Sequence, residues 1–448
     1  MQDLAALIKA YDIRGTVPDQ LNAELAFRAG AAFAEVSGAA LIAVGHDMRV
    51  SSPELAAAVA DGAASRGADV LAIGLASTDM LYYASGARDV AGAMITASHN
   101  PPAYNGIKFC RPGAAPVGQD TGLREIRTLL ETGLPAYNGP AGTVHSEDLL
   151  TEYAEYLHGL VDLSGNRRLK IVVDAGNGMA GRTAPVVLDR SAFDLVPLYF
   201  ELDGTFPNHP ANPLDPANVV DLRAAVKQHH ADAGLAFDGD ADRCFFVDEN
   251  GDAVSPNNII SLIATRELAR DPGSAVVYNV ITSKAVAEQI VDHGGVPVRS
   301  RVGHSFIKQA MADHDAVFGG EHSGHYYFRR FWRADTGMLT ALHVLDALGE
   351  TDQPLSALTA QFSRYADSGE INNVVADVPA VLARVEAHYT ADGAAADHLD
   401  GLTITRPDGA WFNLRPSNTE PLLRLNVEAA DPATMEQLRR EVLSLLNT

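Results

Sequence analysis

The amino-acid sequence predicts an α/β protein of several domains, with a smaller α+β domain at its carboxyl end. Three observations support this fold class. The chain has 448 residues, which is more than one hydrophobic core usually organises. A pattern of apolar strand, small polar turn, helix and second strand occurs three times. After the third occurrence, strand-like runs alternate with helical patterns in a different order, which indicates a separate domain.

The three repeated patterns follow the same order of elements. The first has strands at 41–45 and 69–73 around a helix at 53–66. The second has strands at 170–174 and 195–199 around a Gly-rich turn and a helix. The third has strands at 275–278 and 296–298 and a helix that begins near Ser283. Such units build α/β layers with parallel or mixed sheets.

The carboxyl-terminal part predicts strands at 372–375, 402–405 and 422–427, with helices at 379–389 and 432–446. Loops rich in Gly, Pro and Asn near 133–142, 251–257 and 367–369 are candidate boundaries. We therefore predict four domains: 1–145, 146–252, 253–366 and 367–448.

Composition limits the possible partners and location of the protein. Hydrophobic residues make up 47% of the chain, and no apolar run approaches the roughly 18 residues that a membrane span needs. The two cysteines, Cys110 and Cys244, cannot form a disulfide framework, so we expect a cytoplasmic protein. A formal net charge of -23 argues against nucleic acid and anionic membranes as partners. Any phosphate site must therefore concentrate basic groups locally.

The most informative motif is the acidic loop at 237–243, which lies between two apolar strand-like runs. Asp238, Asp240 and Asp242 crowd this loop. At an effective dielectric near 20, two like charges about 4 Å apart repel by roughly 4 kcal/mol, so converging carboxylates need a cation. Carboxylate oxygens favour Mg²⁺. A solvated acidic turn is the simpler alternative, whereas a calcium loop is excluded because Arg243 occupies the place of its glycine.

A second motif, at 96–101, places Ser98 in a tight turn directly after the apolar run 93–95. Ser, Asn and Pro are ordinary turn residues, so this motif is weak when taken alone. Lys108 follows a few residues later, where it can reach the same turn. The combination indicates a reactive serine with a basic neighbour.

A third motif is the small-residue loop at 319–325, in which Glu321 and Ser323 alternate and can face one ligand. Polar pairs of this kind bind sugar hydroxyls through hydrogen bonds. A metal or turn role for His322 and His325 is the alternative, although no further ligand spacing accompanies them.

A fourth motif, at 415–421, combines a guanidinium, two hydroxyls and an amide in one predicted turn. These groups belong to Arg415, Ser417, Asn418 and Thr419. They suit a phosphate dianion. A simple Asx or Ser/Thr turn between strands explains the same residues in isolation.

In this order, the four motifs resemble those of the α-D-phosphohexomutase superfamily, and within it the bacterial phosphomannomutase/phosphoglucomutase group. The segments 9–15 and 301–304 also look like family segments, so the resemblance spans nearly the whole chain. It implies three related α/β domains with mixed sheets plus a smaller α+β domain, arranged around a central cleft. It also implies that Ser98 is phosphorylated.

The resemblance assigns expected roles to individual residues. Asp238, Asp240, Asp242 and the Ser98 phosphate would bind one Mg²⁺ per chain. Lys108, His304, Arg14 and Arg243 would be catalytic. The substrate would contact Tyr11, Lys284, Glu321, Ser323 and His325, and its distal phosphate would contact Arg415, Ser417, Asn418 and Thr419.

The implied reaction interconverts hexose 1-phosphate and hexose 6-phosphate, of mannose, glucose or both, through hexose 1,6-bisphosphate. Its partners would be small hexose phosphates, and the chain would be a monomer or homodimer. A phosphoglucosamine mutase is the nearest alternative. A haloacid-dehalogenase-type phosphatase would explain residues 238–240 but leave the Ser98 and Arg415 motifs unexplained. A non-catalytic sugar-phosphate sensor would need neither Ser98 nor the three aspartates.

Overall fold

The computed structural model describes residues 4–8, 11–188, 192–416 and 422–446. The chain divides into two compact units, Met1–Pro256 with Ser323–Leu358, and Asn257–His322 with Thr359–Thr448. None of the helices in the described ranges combines the length with the hydrophobicity that a membrane-spanning segment requires.

The first unit begins with a mixed seven-stranded sheet. Its strands are β1 (Asp12–Thr16), β2 (Leu41–His46), β3 (Asp69–Leu75), β4 (Ala91–Ile95), β5 (Tyr104–Arg111), β6 (Ala115–Pro116) and β7 (Val144–Ser146). Their order is β1-β5-β4-β2-β3-β7, with β6 on β5. The pairs β2–β3 and β2–β4 are parallel, whereas β1–β5 and β4–β5 are antiparallel. The sequence prediction of mixed sheets is thus confirmed here.

Five helices accompany this sheet: α1 (Leu4–Leu7), α2 (Ala23–Ser37), α3 (Ser52–Ala64), α4 (Thr78–Arg88) and α5 (Leu123–Thr132). Helices α2 and α3 are rich in alanine and glycine and approach each other closely. A Cβ atom added to Gly30 would lie 2.1 Å from the Val59 carbonyl oxygen, and one added to Gly62 would lie 2.0 Å from that of Phe27. Only glycine allows this contact between the two helices.

A four-stranded sheet follows in the same unit. Its elements are α6 (Leu150–Leu160), β8 (Leu169–Asp174), α7 (Ala180–Val187), β9 (Phe193–Leu198), α8 (Val220–His229), β10 (Ala233–Phe237) and β11 (Cys244–Asp248). The strand order is β11-β10-β8-β9. Strands β8, β9 and β10 are parallel, and β11 returns antiparallel to β10. The loop between β10 and β11 therefore opens at the carboxyl edge of the parallel strands.

The second unit begins with another α/β layer. Its elements are α9 (Pro256–Arg270), β12 (Ala275–Asn279), α10 (Lys284–Asp292), β13 (Val296–Ser300), α11 (His304–Asp313) and β14 (Phe318–Gly320). Strands β13 and β14 both pair in parallel with β12. Ser283 caps α10 by accepting a hydrogen bond from the Ala285 amide, so the helix starts where the sequence predicted.

The chain then returns to the first unit with the antiparallel strands β15 (Tyr326–Phe328) and β16 (Ala334–Asp335) and the buried helix α12 (Gly337–Gly349). Thr336 caps α12 by accepting a hydrogen bond from the Leu339 amide. Helix α13 (Leu355–Ala360) contains the point at which the chain leaves the first unit and re-enters the second.

The second unit ends with an antiparallel five-stranded sheet and two helices. Its elements are β17 (Ala366–Asn373), α14 (Val378–Ala391), β18 (Ala395–Asp397), β19 (Leu402–Thr405), β20 (Trp411–Pro416), β21 (Leu423–Ala429) and α15 (Pro432–Leu446). The strand order is β17-β21-β20-β19-β18. Apolar side chains from the sheet and both helices form one core. This is the predicted α+β architecture.

Three sequence predictions in this sheet need correction. Residues 367–369 do not form a loop but lie within β17, where a register shift between Asp367 and Glu370 accommodates Gly369 at φ +62°. Strand β17 also begins earlier than predicted and ends at Asn373. Strand β20 was not predicted, and Arg415 lies in it instead of in a turn.

Candidate active site

The acidic loop between β10 and β11 brings three carboxylates together. Asp238, Asp240 and Asp242 are at most 1% exposed, and each offers an oxygen within 4.8 Å of the others. Oδ1 of Asp240 and Oδ1 of Asp242 are buried and make no hydrogen bond. Buried anionic oxygens without partners are costly unless a cation satisfies them. The donor set therefore fits one divalent cation that prefers oxygen ligands.

The electrostatics of the loop agree with a cation site. Burial, followed by repulsion from Asp240 and Asp242, raises the pKa of Asp238 to about 8 despite the nearby Arg243 guanidinium. Burial acts to raise the pKa of Asp240 as well, but the Lys108 ammonium outweighs it and holds this pKa well below the usual range. Lys108 thus keeps Asp240 ionised, whereas the raised pKa of Asp238 reflects the cost of a further buried negative charge, which a bound cation would offset.

Ser98 lies directly beside this loop. It follows β4, is 5% exposed, and its Oγ donates a hydrogen bond of 2.6 Å to Asp238 Oδ2. Its backbone has φ +48°, the left-handed region that costs a non-glycine residue roughly 1–2 kcal/mol. The Ser98 amide donates to Thr96 Oγ1 at 2.9 Å. The structure therefore joins the two strongest sequence motifs in one place.

Predicted basic residues surround the serine and the carboxylates. Lys108, on β5, donates from Nζ to Asp240 Oδ2 at 2.7 Å and to Asp242 Oδ2 at 2.8 Å. Arg243 donates from Nη2 to Asp238 Oδ2 at 2.8 Å, and its Nη2 lies 3.3 Å from Ser98 Oγ. These cations provide the local positive charge that a phosphate site requires in a chain of this net charge.

Arg14, on β1, reaches the serine loop from the neighbouring strand. Its Nη1 donates to Asn100 Oδ1 at 2.5 Å, and its Nε donates to Asp12 Oδ2 at 3.0 Å. Tyr11 precedes β1 and is half-buried. The antiparallel pairing of β1 with β5 sets Asp12 opposite Lys108, which explains why residues so distant in sequence converge.

His325 and Ser323 also belong to the first unit and lie near the carboxylates. His325 Nε2 is 3.6 Å from Asp242 Oδ1 and 3.9 Å from Asp335 Oδ2. Its Nδ1 is 3.1 Å from Ser323 Oγ. An imidazole so close to the carboxylates can hold or transfer a proton there.

Two contacts of this site escaped the sequence analysis. Thr78, at the start of α4, donates from Oγ1 to Asp240 Oδ2 at 2.7 Å. His99 Nδ1 lies 3.1 Å from Ser98 Oγ, and burial together with Arg243 and Arg14 holds the pKa of His99 well below its usual range. Adjacency to Ser98 was a signal for His99, whereas nothing in the sequence around Thr78 points to Asp240.

The remaining predicted residues lie in the second unit. Glu321 is 2% exposed, and its Oε1 accepts hydrogen bonds from Asn279 Nδ2 at 3.2 Å and from the Gly303 amide at 2.9 Å. The second of these bonds places it beside His304, the first residue of α11.

Lys284 and Arg415 complete the predicted set in this unit. Lys284 Nζ donates to the Gly409 carbonyl at 2.5 Å and lies 4.8 Å from the centre of the Tyr365 ring. Arg415 is 5% exposed. Its Nη2 lies 3.8 Å from Glu370 Oε2, and its Nε lies 4.0 Å from Asp400 Oδ2. Ser417, Asn418 and Thr419, predicted to bind phosphate, lie outside the described residues.

Four family descriptions match successive parts of the chain. They are phosphoglucomutase/phosphomannomutase alpha/beta/alpha domain I at 5–135, domain II at 151–251, domain III at 255–365, and the C-terminal domain at 370–445. The order and type of these domains agree with the observed sheets, three of the α/β type and one antiparallel.

Curated relatives and solved structures agree with the family match. A protein from Xanthomonas campestris pv. campestris described as phosphohexose mutases is 43% identical over 442 residues, covering 98% of both chains. A phosphomannomutase of Escherichia coli is 41% identical over 450 residues, covering 98% of both. The crystal structure of a phosphoglucomutase/phosphomannomutase family protein from Burkholderia thailandensis has a TM-score of 0.91 at 32% identity, covering 100% of this chain and 98% of that one.

These matches favour neither a phosphoglucosamine mutase nor a phosphatase of the haloacid-dehalogenase type. The chain belongs to the phosphoglucomutase/phosphomannomutase family and is a hexose phosphate mutase, an isomerase.

Proposed function

We propose that this enzyme interconverts the 1- and 6-phosphates of mannose and glucose through phosphorylated Ser98 and a hexose 1,6-bisphosphate intermediate. The observation that carries the proposal is the position of Ser98 Oγ, 2.6 Å from Asp238 and 3.3 Å from Arg243, beside three buried carboxylates. A serine with these neighbours suits reversible phosphoryl transfer, in which positioning and charge neutralisation supply most of the catalysis.

The three aspartates, with the phosphate of Ser98, would hold one Mg²⁺ per chain. When bound, the ion neutralises charge on the transferring phosphoryl group. The buried Oδ1 atoms of Asp240 and Asp242 support this assignment, because neither accepts a hydrogen bond from the protein. The first half-reaction forms a bond between a sugar oxygen and phosphorus and breaks the bond from phosphorus to Ser98 Oγ, which keeps the electron pair. The proton of the sugar hydroxyl passes to a base.

The basic residues take complementary roles in this step. Burial acts to lower the pKa of Lys108, but Asp240 and Asp242 outweigh it and raise this pKa above the usual lysine value. Lys108 therefore acts as a permanent ammonium that stabilises charge. Arg14 and Arg243 donate hydrogen bonds to phosphoryl oxygens, and His325 or His304 exchanges the proton with the sugar.

The other predicted residues bind the sugar and its second phosphate. Glu321 and Ser323 bind sugar hydroxyls, with Tyr11 and Lys284 as further contacts. Arg415, Ser417, Asn418 and Thr419 bind the phosphate that is not reacting. For Lys284 this role requires release of its hydrogen bond to the Gly409 carbonyl.

The partners and the location of the enzyme are proposed from its substrate class and its net charge. The partners are small hexose phosphates, and the net charge of -23 opposes binding to nucleic acid or membranes. We propose a cytoplasmic enzyme that is a monomer or a homodimer.

A product analysis by ³¹P NMR tests this function. With mannose 1-phosphate or glucose 1-phosphate, Mg²⁺ and a trace of hexose 1,6-bisphosphate, we expect the matching 6-phosphate and no net release of inorganic phosphate. Chelation of the metal abolishes turnover, and added Mg²⁺ restores it. Stoichiometric release of inorganic phosphate would instead identify a phosphatase, and unchanged turnover in chelator would refute the metal site.

A further inference from the structure

We propose that Arg49 is a positioning residue that holds the Ser98 loop in the conformation required for phosphoryl transfer. The inference rests on the proposed role of Ser98 and deepens it. Arg49 touches no reacting atom, because its contacts with the loop are all to backbone carbonyl oxygens. It binds four of these oxygens at once and can therefore fix the shape of the loop.

A single buried guanidinium makes four hydrogen bonds to this loop. Arg49 is 1% exposed. Its Nη1 donates to the carbonyl oxygens of Pro101 and Tyr104, both at 2.9 Å. Its Nη2 donates to those of Ser98 at 2.8 Å and Asn100 at 2.7 Å. All four Nη hydrogens therefore bind one short segment of backbone.

The guanidinium is itself fixed on its other side. Asp47, which is fully buried, lies 3.3 Å from Arg49 Nε and accepts a hydrogen bond of 3.0 Å from the Arg49 amide. Ser52 Oγ donates to the same Asp47 carboxylate at 2.5 Å. The Phe206 ring packs with its centroid 5.1 Å from Arg49 Cζ. Arg49 is thus a rigid support for the loop.

The loop needs such a support because Ser98 has φ +48°, which a serine rarely adopts without outside restraint. Loss of the four hydrogen bonds would let the Ser98 backbone relax. Its Oγ would then leave Asp238, to which it now donates at 2.6 Å. Because near-attack geometry tolerates little displacement, the rate of transfer would fall more than substrate binding.

Lysine cannot replace Arg49 in this role. Its ammonium carries three hydrogens at a single point, whereas the planar guanidinium divides four among two nitrogens in a fixed fork. Arg49→Lys keeps the charge opposite Asp47 but loses the fork. The variant therefore separates geometry from charge.

Arg66, which lies between α3 and β3 beside the same seven-stranded sheet, provides a matched control. It also packs on an aromatic ring, with Cζ 5.0 Å from the Tyr137 centroid, and donates to a backbone carbonyl, that of Pro135, at 2.9 Å. It has no contact with the Ser98 loop. For Arg49→Lys we expect kcat to fall about ten- to a hundredfold with KM changed less than about twofold, whereas Arg66→Lys behaves as wild type.

Chemical rescue distinguishes positioning from a general loss of structure. Arg49→Ala should regain part of its kcat when methylguanidinium is added, whereas methylammonium should have no effect. A wild-type kcat in folded Arg49→Lys, or a loss confined to KM, would overturn the inference. If the Arg49 variants fail to fold, Phe206→Leu takes their place, with a reduced kcat at constant KM expected and an unchanged kcat contradicting the inference.

The phosphoryl content of Ser98, measured by intact mass in the same samples, separates this inference from the proposed function. Wild-type protein without a phosphoryl group on Ser98 after treatment with hexose 1,6-bisphosphate means that the proposed function fails. Phosphorylated wild type together with Arg49→Lys that turns over like Arg66→Lys means that only the role of Arg49 fails.

Discussion

Individual residues of the site were predictable to different degrees. Ser98 and the three aspartates follow apolar strands in the sequence, so their place at strand ends was visible. Arg49 and Thr78 were not predictable, because they reach the site from the β2–α3 loop and from the start of α4 through contacts that only the fold creates. The left-handed backbone of Ser98 leaves no sequence signal either, since no glycine marks it.

Asp79 is a fully buried carboxyl group in the first unit. It accepts hydrogen bonds from Ser77, from Tyr153 at 2.5 Å and from Thr336 at 2.7 Å. Burial nevertheless raises its pKa from 3.8 to about 6. A carboxyl group with a raised pKa in the folded state stabilises most at low pH, and this contribution is lost as pH rises through about 6.

We therefore expect wild type to lose about 1 to 1.5 kcal/mol more than Asp79→Asn between pH 5 and pH 7.5. Urea denaturation of both proteins at the two pH values gives this difference directly. Asp120→Asn, at an exposed position, is the control and should follow wild type. A larger pH-dependent loss in Asp79→Asn than in wild type would contradict the assigned direction.

At the scale of elements, the repeated strand–helix–strand pattern gave correct predictions. Strands β2, β8 and β12 and helices α3 and α10 lie within a few residues of the predicted positions. Strand β20 was not predicted, and its last two residues, Arg415 and Pro416, were assigned to a phosphate-binding turn because polar residues at a strand end resemble a turn. Gly369 suggested a loop, yet it lies at a β-bulge inside β17.

The close contact between α2 and α3 predicts that an added methyl group at Gly30 destabilises the protein. Gly30→Ala places a Cβ 2.1 Å from the Val59 carbonyl oxygen, so the two helices must separate. We expect the free energy of unfolding to fall by about 2 kcal/mol or more. Gly159→Ala in α6, where a Cβ meets no atom within 4 Å, should instead be neutral or stabilise by about 0.5 to 1 kcal/mol. Equal denaturation midpoints for the two variants would refute the contact.

At the scale of the whole molecule, charge was the most useful global property. A net charge of -23 predicted that basic groups would be concentrated at the site, as they are around Ser98. The three boundaries between the four domains remain a prediction. They could not be derived from composition alone, because loops at boundaries and loops within domains share the same residue types.

The proposed route through a bisphosphate requires one distal site for two different phosphates. If Arg415 belongs to that site, it binds a dianion and not a particular sugar carbon. Arg415→Ala should then raise KM for the 1-phosphate and the 6-phosphate by similar factors, about ten- to a hundredfold. Arg406→Ala, which removes an arginine paired with Asp408 in the same sheet domain, should leave both unchanged. A large loss for one substrate alone would refute a shared site.

The proposed mechanism requires Ser98 to carry the phosphoryl group. Intact-mass measurement of the purified enzyme, before and after phosphatase treatment, tests it most directly. We expect one phosphoryl group per chain that phosphatase removes and hexose 1,6-bisphosphate restores. We expect none in Ser98→Ala, whose kcat falls by about a thousandfold or more. An unphosphorylated wild type with full turnover, or a folded Ser98→Ala with near-normal turnover, would contradict the claim.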